Sequence, residues 1–141
     1  MKYLVDTNVL SELQKLRPEP NAQAWFKSVP PNDVHVSVIT LGEIEKGIEK
    51  VRTADPEYAS ALDRWLQTIL DNYTDRIIDI DAGIARRWGV LDHSHEHALV
   101  DAMLAATAIE RGLVLVTRNV RDIERTGARW LNPFVRPFRI R

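Results

Sequence analysis

The chain of 141 residues is about one domain long, and its 45% hydrophobic content is enough for a single buried core. It has no cysteine, which excludes a disulfide framework and thiolate metal sites and leaves four histidines and the carboxylates as side-chain ligands. Net charge is −1 but uneven: residues 1–100 carry 11 basic and 16 acidic side chains, residues 101–141 carry 8 and 4, an acidic body with a basic tail that could draw a phosphate backbone toward a negative site or be surface charge without meaning.

The short apolar run Met1–Val5 is stopped by Asp6, too early for a signal peptide, and no segment approaches the length of a membrane span. A soluble, cytoplasmic protein with one domain over residues 1–141 is expected. The run KYLV reads as a strand ending at Asp6, and TNVLSELQK continues with helical spacing through Val9, Leu10 and Leu13 until Pro18 and Pro20. NAQAWFKSV reads as a second short helix, stopped by Pro30 and Pro31, and VHVSVI alternates as a strand over residues 34–39. Thr40 then opens an amphipathic helix with Leu41, Ile44, Ile48 and Val51 on its apolar face and Glu45, Lys46, Glu49 and Lys50 on its wet face. A further helix spans Pro56–Tyr73, RIIDI forms a strand, and Asp81–Leu91 form another helix. The alanine-rich helix that begins near Asp101 leads into the strand LVLVT, followed by a short helix over Val120–Glu124 and a short strand at Trp130 and Leu131. Strands alternating with helices imply a parallel sheet covered on both faces.

Three acids occupy equivalent places in this pattern. Asp6 follows the first strand, Glu43 lies in the first turn of the helix after the second, and Asp101 begins the helix before the fourth. Ligands of open parallel sheets bind at the carboxyl ends of the strands, so these acids can converge there. Gly47 lies four residues after Glu43, and Ala105 and Ala108 lie four and seven after Asp101, which leaves room beside each acid, although small residues also permit close helix packing. Taken singly, each acid reads first as a helix cap, and it is the set of three that points to a site. Carboxylates gathered in a half-buried site repel one another unless a cation neutralises them, and hard oxygen donors without cysteine favour Mg²⁺ or Mn²⁺ over zinc. Such a cluster suits phosphodiester hydrolysis by metal-activated water. The rival cluster, DHSHEH with His93, His95 and His97, lacks the spacing of a helical zinc pair and reads as a solvated loop, and His35 reads as a packed or surface residue.

The segments YLVDTNVLSEL, VSVITLGEIEKGI and VDAMLAATAIERGLVLVTRNVRDIERTGARWLNP resemble the successive motifs of PIN-domain ribonucleases, in particular the VapC-like toxins of type II toxin–antitoxin systems. The resemblance covers nearly the whole chain. It implies a three-layer α/β/α fold with a mostly parallel central sheet, Mg²⁺-dependent RNA cleavage with Mn²⁺ able to substitute, a homodimer, and inhibition by a cognate antitoxin, with DNA met only through the antitoxin complex. By the same resemblance Asp6, Glu43 and Asp101 are the catalytic and metal-site acids, and Thr7, Asn8, Ser37, Thr117 and Asn119 are small polar residues that order the ligands, with helix capping an equal alternative for Ser37. Many PIN domains carry an acid where Asn119 stands; here the next acid is Asp122, so either residue is a candidate for completing the site.

Two other phosphate chemistries fit less well. A haloacid dehalogenase-type phosphohydrolase would have its second acid at Asn8, and a phosphoacceptor receiver domain would have a lysine after the strand that ends in Thr117-Arg118. The non-enzymatic alternative is an inactive PIN-like module that only binds a protein or joins a DNA complex.

Overall fold

The computed structural model describes residues 1–94 and 98–141. Five strands form one sheet: β1 (Tyr3–Val5), β2 (Val34–Ser37), β3 (Ile77–Ile78), β4 (Val114–Val116) and β5 (Trp130–Leu131), in the spatial order β3-β2-β1-β4-β5. Every pairing is parallel, and β1 lies in register between its neighbours, with Tyr3 opposite both Val34 and Val114 and Val5 opposite Val116.

Alternation along these short strands sorts side chains to two cores. Val5, Val34, Val36, Val114, Val116 and Leu131 face one core, completed by α1 (Thr7–Leu13), α2 (Pro20–Ser28), α3 (Val38–Arg52) and α4 (Pro56–Asn72). Leu4, Leu115 and Ile78 face the other, completed by α5 (Ala82–Ser94), α6 (Leu99–Arg111) and α7 (Val120–Ile123). The result is the expected three-layer α/β/α arrangement. Sheet order reverses between β1 and β4: the chain steps outward from β1 through β2 to β3, then returns to the other side of β1. The carboxyl ends of β1 and β4 therefore flank the crevice at which such folds bind ligands.

Local chemistry fixes the helix starts. Pro20 and Pro56 open α2 and α4, whose caps are the carboxylates of Glu19, accepting from the Ala22 amide at 2.9 Å, and Asp55, accepting from the Tyr58 amide at 3.1 Å. At α6 the buried run Ala102, Ala105, Ala106 and Ala108 replaces bulk with close approach to the sheet, and Gly112, at φ +64°, ends the helix in the left-handed conformation glycine tolerates.

Beyond shorter strands, two differences from the sequence expectation bear on residues singled out there. The β-branched residues Val38 and Ile39 belong to α3 rather than to β2, because the Ser37 hydroxyl accepts the Ile39 amide at 3.0 Å and turns the chain into a helix two residues early. Glu43 consequently sits in the second turn of α3, not the first. Helix α5 also runs on to Ser94, so His93 lies in its last turn instead of a loop, while His95 and His97 lie outside the described residues. His35 is half-buried in β2, with Nδ1 3.2 Å from the Asp33 carbonyl.

Removal of the α3 cap is a direct test of this start: Ser37→Ala should lower the free energy of unfolding by about 1 kcal/mol, read from the midpoint of urea denaturation with an unchanged slope.

Candidate active site

Asp6 leaves β1 as the residue before α1, and its amide donates to the Val116 carbonyl at 2.9 Å, so β1 and β4 stay paired up to their ends. Asp6 is 4% exposed, and its carboxylate accepts the Thr117 hydroxyl at 2.8 Å from the end of β4. On α3, Glu43 accepts the Thr7 hydroxyl from α1 at 2.6 Å. On the first turn of α6, Asp101 accepts the Asn119 side-chain amide at 3.1 Å, and the Asn119 backbone in turn donates to the Thr117 hydroxyl at 3.0 Å. Three carboxylates carried by three elements are thus each braced by a neutral donor from a fourth or fifth.

Asp6, Thr7, Asn8, Glu43, Asp101 and Asn119 line one cavity of about 500 Å³, closed by Lys46 of α3 and by Ala98, Leu99 and Val100 at the start of α6. Ser37 and Asp122 do not line it. The Ser37 hydroxyl is spent on the α3 cap, the alternative given for it from the sequence, and Asp122 is exposed on α7. The wall residues Lys46 and Leu99 were not singled out by sequence; the signal available was spacing, since Lys46 follows Glu43 by one helical turn and Leu99 precedes Asp101 on the same first turn.

Burial pushes the Asp6 carboxyl above its usual range, and the negative charge of Glu43 pushes in the same direction; the Thr117 hydroxyl and the nearby backbone of Thr7 and Asn8 offset part of this. The ionised form is therefore disfavoured where the fold has placed it. An all-oxygen donor set around a carboxylate that needs positive charge fits a hard divalent cation such as Mg²⁺. Among the described residues, however, no three of the Asp, Glu and His side chains are gathered into a ready coordination shell.

The PIN domain family model matches residues 3–128, and the chain belongs to that family. Toxin FitB of Neisseria gonorrhoeae is 31% identical over 138 residues, covering 93% of this chain and 97% of the relative. VapC ribonuclease Y4jK of Sinorhizobium fredii is 26% identical over 136 residues, covering 93% of this chain and 96% of the relative. A toxin–antitoxin complex from Klebsiella pneumoniae contains a chain that superposes with a TM-score of 0.72 at 28% identity, covering 94% of this chain and 98% of that one.

Because folded Asp6 holds its proton more tightly than the unfolded chain does, its contribution to stability is present below the ordinary value of 3.8 and is lost as pH rises through the raised folded value. Asp6→Asn removes that loss while keeping an acceptor for Thr117. At neutral pH without added metal the variant should unfold as readily as wild type or be more stable by about 1 kcal/mol, and the difference should shrink as pH falls toward 4 in parallel thermal melts. A marked loss of stability instead would mean that the carboxylate serves the fold.

Proposed function

We propose that the protein is a divalent-metal-dependent endoribonuclease acting as the toxin of a toxin–antitoxin pair. The observation that carries this reading is the meeting of Asp6, Glu43 and Asp101 on one cavity beside the β1–β4 crevice, each carboxylate oriented by its own hydrogen-bond donor. The names of its relatives, a toxin and a VapC ribonuclease, support it.

Asp6, Glu43 and Asp101 would hold Mg²⁺, for which Mn²⁺ can substitute. When bound, the ion supplies positive charge that lowers the pKa of water and stabilises the departing oxygen. The protein's own contribution is placement. Thr117 fixes the rotamer of Asp6, Thr7 that of Glu43 and Asn119 that of Asp101, so the carboxylates need little reorganisation on meeting the substrate. The ion's chemistry makes water the nucleophile in this reading, and in-line displacement by it leaves a 5′-phosphate and a 3′-hydroxyl.

Purified protein should cleave RNA with Mg²⁺ or Mn²⁺ and lose the activity in EDTA. Asp6→Asn and Asp101→Asn should abolish it, whereas Thr7→Val and Thr117→Val, which remove only the bracing donors, should lower it by about 10–100-fold. Mass spectrometry of the products should find 5′-phosphate ends. Cyclic 2′,3′-phosphate ends that persist in EDTA would defeat the mechanism.

The antitoxin would cover the cavity and present a basic side chain to the acids; the guanidinium of Arg matches carboxylate geometry best. Expression of the chain alone should arrest growth, and coexpression with the neighbouring reading frame should relieve the arrest. Normal growth with confirmed folded wild-type protein would remove the toxin reading while leaving the nuclease assay to stand by itself.

A further inference from the structure

A polyanion must approach a cavity walled by three carboxylates, and Lys46 is the cation among the residues that line it. Lys46 lies one turn after Glu43 on α3, so the two side chains rise from the same face of the helix. They do not pair: the Glu43 carboxylate takes its hydrogen bond from Thr7, and the Lys46 ammonium makes no hydrogen bond or ion pair with any described residue. A lysine kept as a counter-ion for the acids would be drawn onto one of them. The helix around it is also open, since a Cβ built at Gly42 or Gly47 meets nothing within 4 Å. Leu99, which also lines the cavity, is 59% exposed.

We propose that Lys46 binds a phosphate of single-stranded RNA and holds the backbone against the acids. The inference rests on the ribonuclease reading and extends it to a substrate-binding residue. The ammonium is a compact point charge on a flexible stem, suited to a phosphate oxygen that changes position between nucleotides. The exposed Leu99 offers an apolar surface to a base, which is available in an unpaired strand and not in a stacked duplex. Lys46 is therefore a positioning residue for the substrate, and its loss weakens binding rather than the chemical step.

The test measures binding by fluorescence anisotropy of a short labelled single-stranded RNA in the Asp6→Asn background, across a series of salt concentrations. Removal of one phosphate contact to a single strand lowers the magnitude of the slope of log K against log salt by about 0.7. Lys46→Ala should show that drop, Lys46→Arg should restore the slope, and Lys27→Ala, which removes an exposed lysine of α2 outside the cavity, should leave it unchanged. With the acids intact, Lys46→Ala should raise KM roughly tenfold and leave kcat within about twofold. Cleavage by wild type combined with an unchanged slope and KM in Lys46→Ala would overturn the proposal and leave the ribonuclease reading standing, as would a fall in kcat with KM unchanged. Wild-type protein that neither cleaves nor binds RNA would overturn both.

Discussion

The hydrogen bond from Thr117 to Asp6, 2.8 Å long, joins the ends of β1 and β4 at the point where the strand order reverses. Parallel pairing carries both strands to this place, the Asp6 amide extends the pairing by one more bond to Val116, and the two side chains then meet in a buried position. The rest of the site is hung from this junction. Thr7 follows Asp6 and reaches Glu43 on α3; Asn119 follows Thr117 by two residues and reaches Asp101 on α6. Both chain segments leaving the central strands thus carry the donors that orient the outlying acids, so the cavity's geometry is inherited from the strand register.

That inheritance explains which residues could be read from sequence. Asp6 and Asp101 stand beside short apolar strands or an alanine-rich helix whose patterns are unmistakable, and a parallel sheet sends those ends to one rim. The start of α3 was not legible. Val38 and Ile39 favour strands by propensity, whereas a single serine hydroxyl accepting the Ile39 amide commits them to a helix. His93 was misplaced because the run DHSHEH lies between two expected helices and lacks the spacing of a helical zinc pair, whereas α5 is long enough to include it. The pairings themselves lie beyond sequence reasoning, because Thr7 with Glu43 and Asn119 with Asp101 are contacts 36 and 18 residues apart in the chain, set by how the helices lie on the sheet.

Asn119 shows how a departure from the family pattern can fit. An acid at this position would face Asp101 as a like charge. The amide donates to it instead at 3.1 Å, so the fourth position acts on the electrostatics of the site by holding a carboxylate in place. Asp122, exposed on α7, leaves that arrangement undisturbed.

Charge distribution carries the same lesson about context. The arginines of residues 101–141 invite a reading as a phosphate-attracting tail, yet several are committed within the fold. Arg118 stacks 3.9 Å from the Phe134 ring centre, Arg136 lies over Phe138 and donates to Asn21, and Arg111 pairs with Asp81. These contacts hold the chain after β5 against α2 and the segment after β4, and tie α6 to the turn before α5, where guanidinium planes are useful because they stack and fork. A stacked arginine can still lend long-range potential to an approaching RNA. Inside the acid-lined cavity, however, contact with a phosphate requires a cation whose hydrogen-bonding capacity is unspent, and sequence counts of basic residues cannot distinguish the two. Position does: Lys46 on α3 lines the cavity beside the acids, and no arginine of residues 101–141 is among its described lining, so a single lysine outweighs the arginine-rich tail as the local counterpart of the acids.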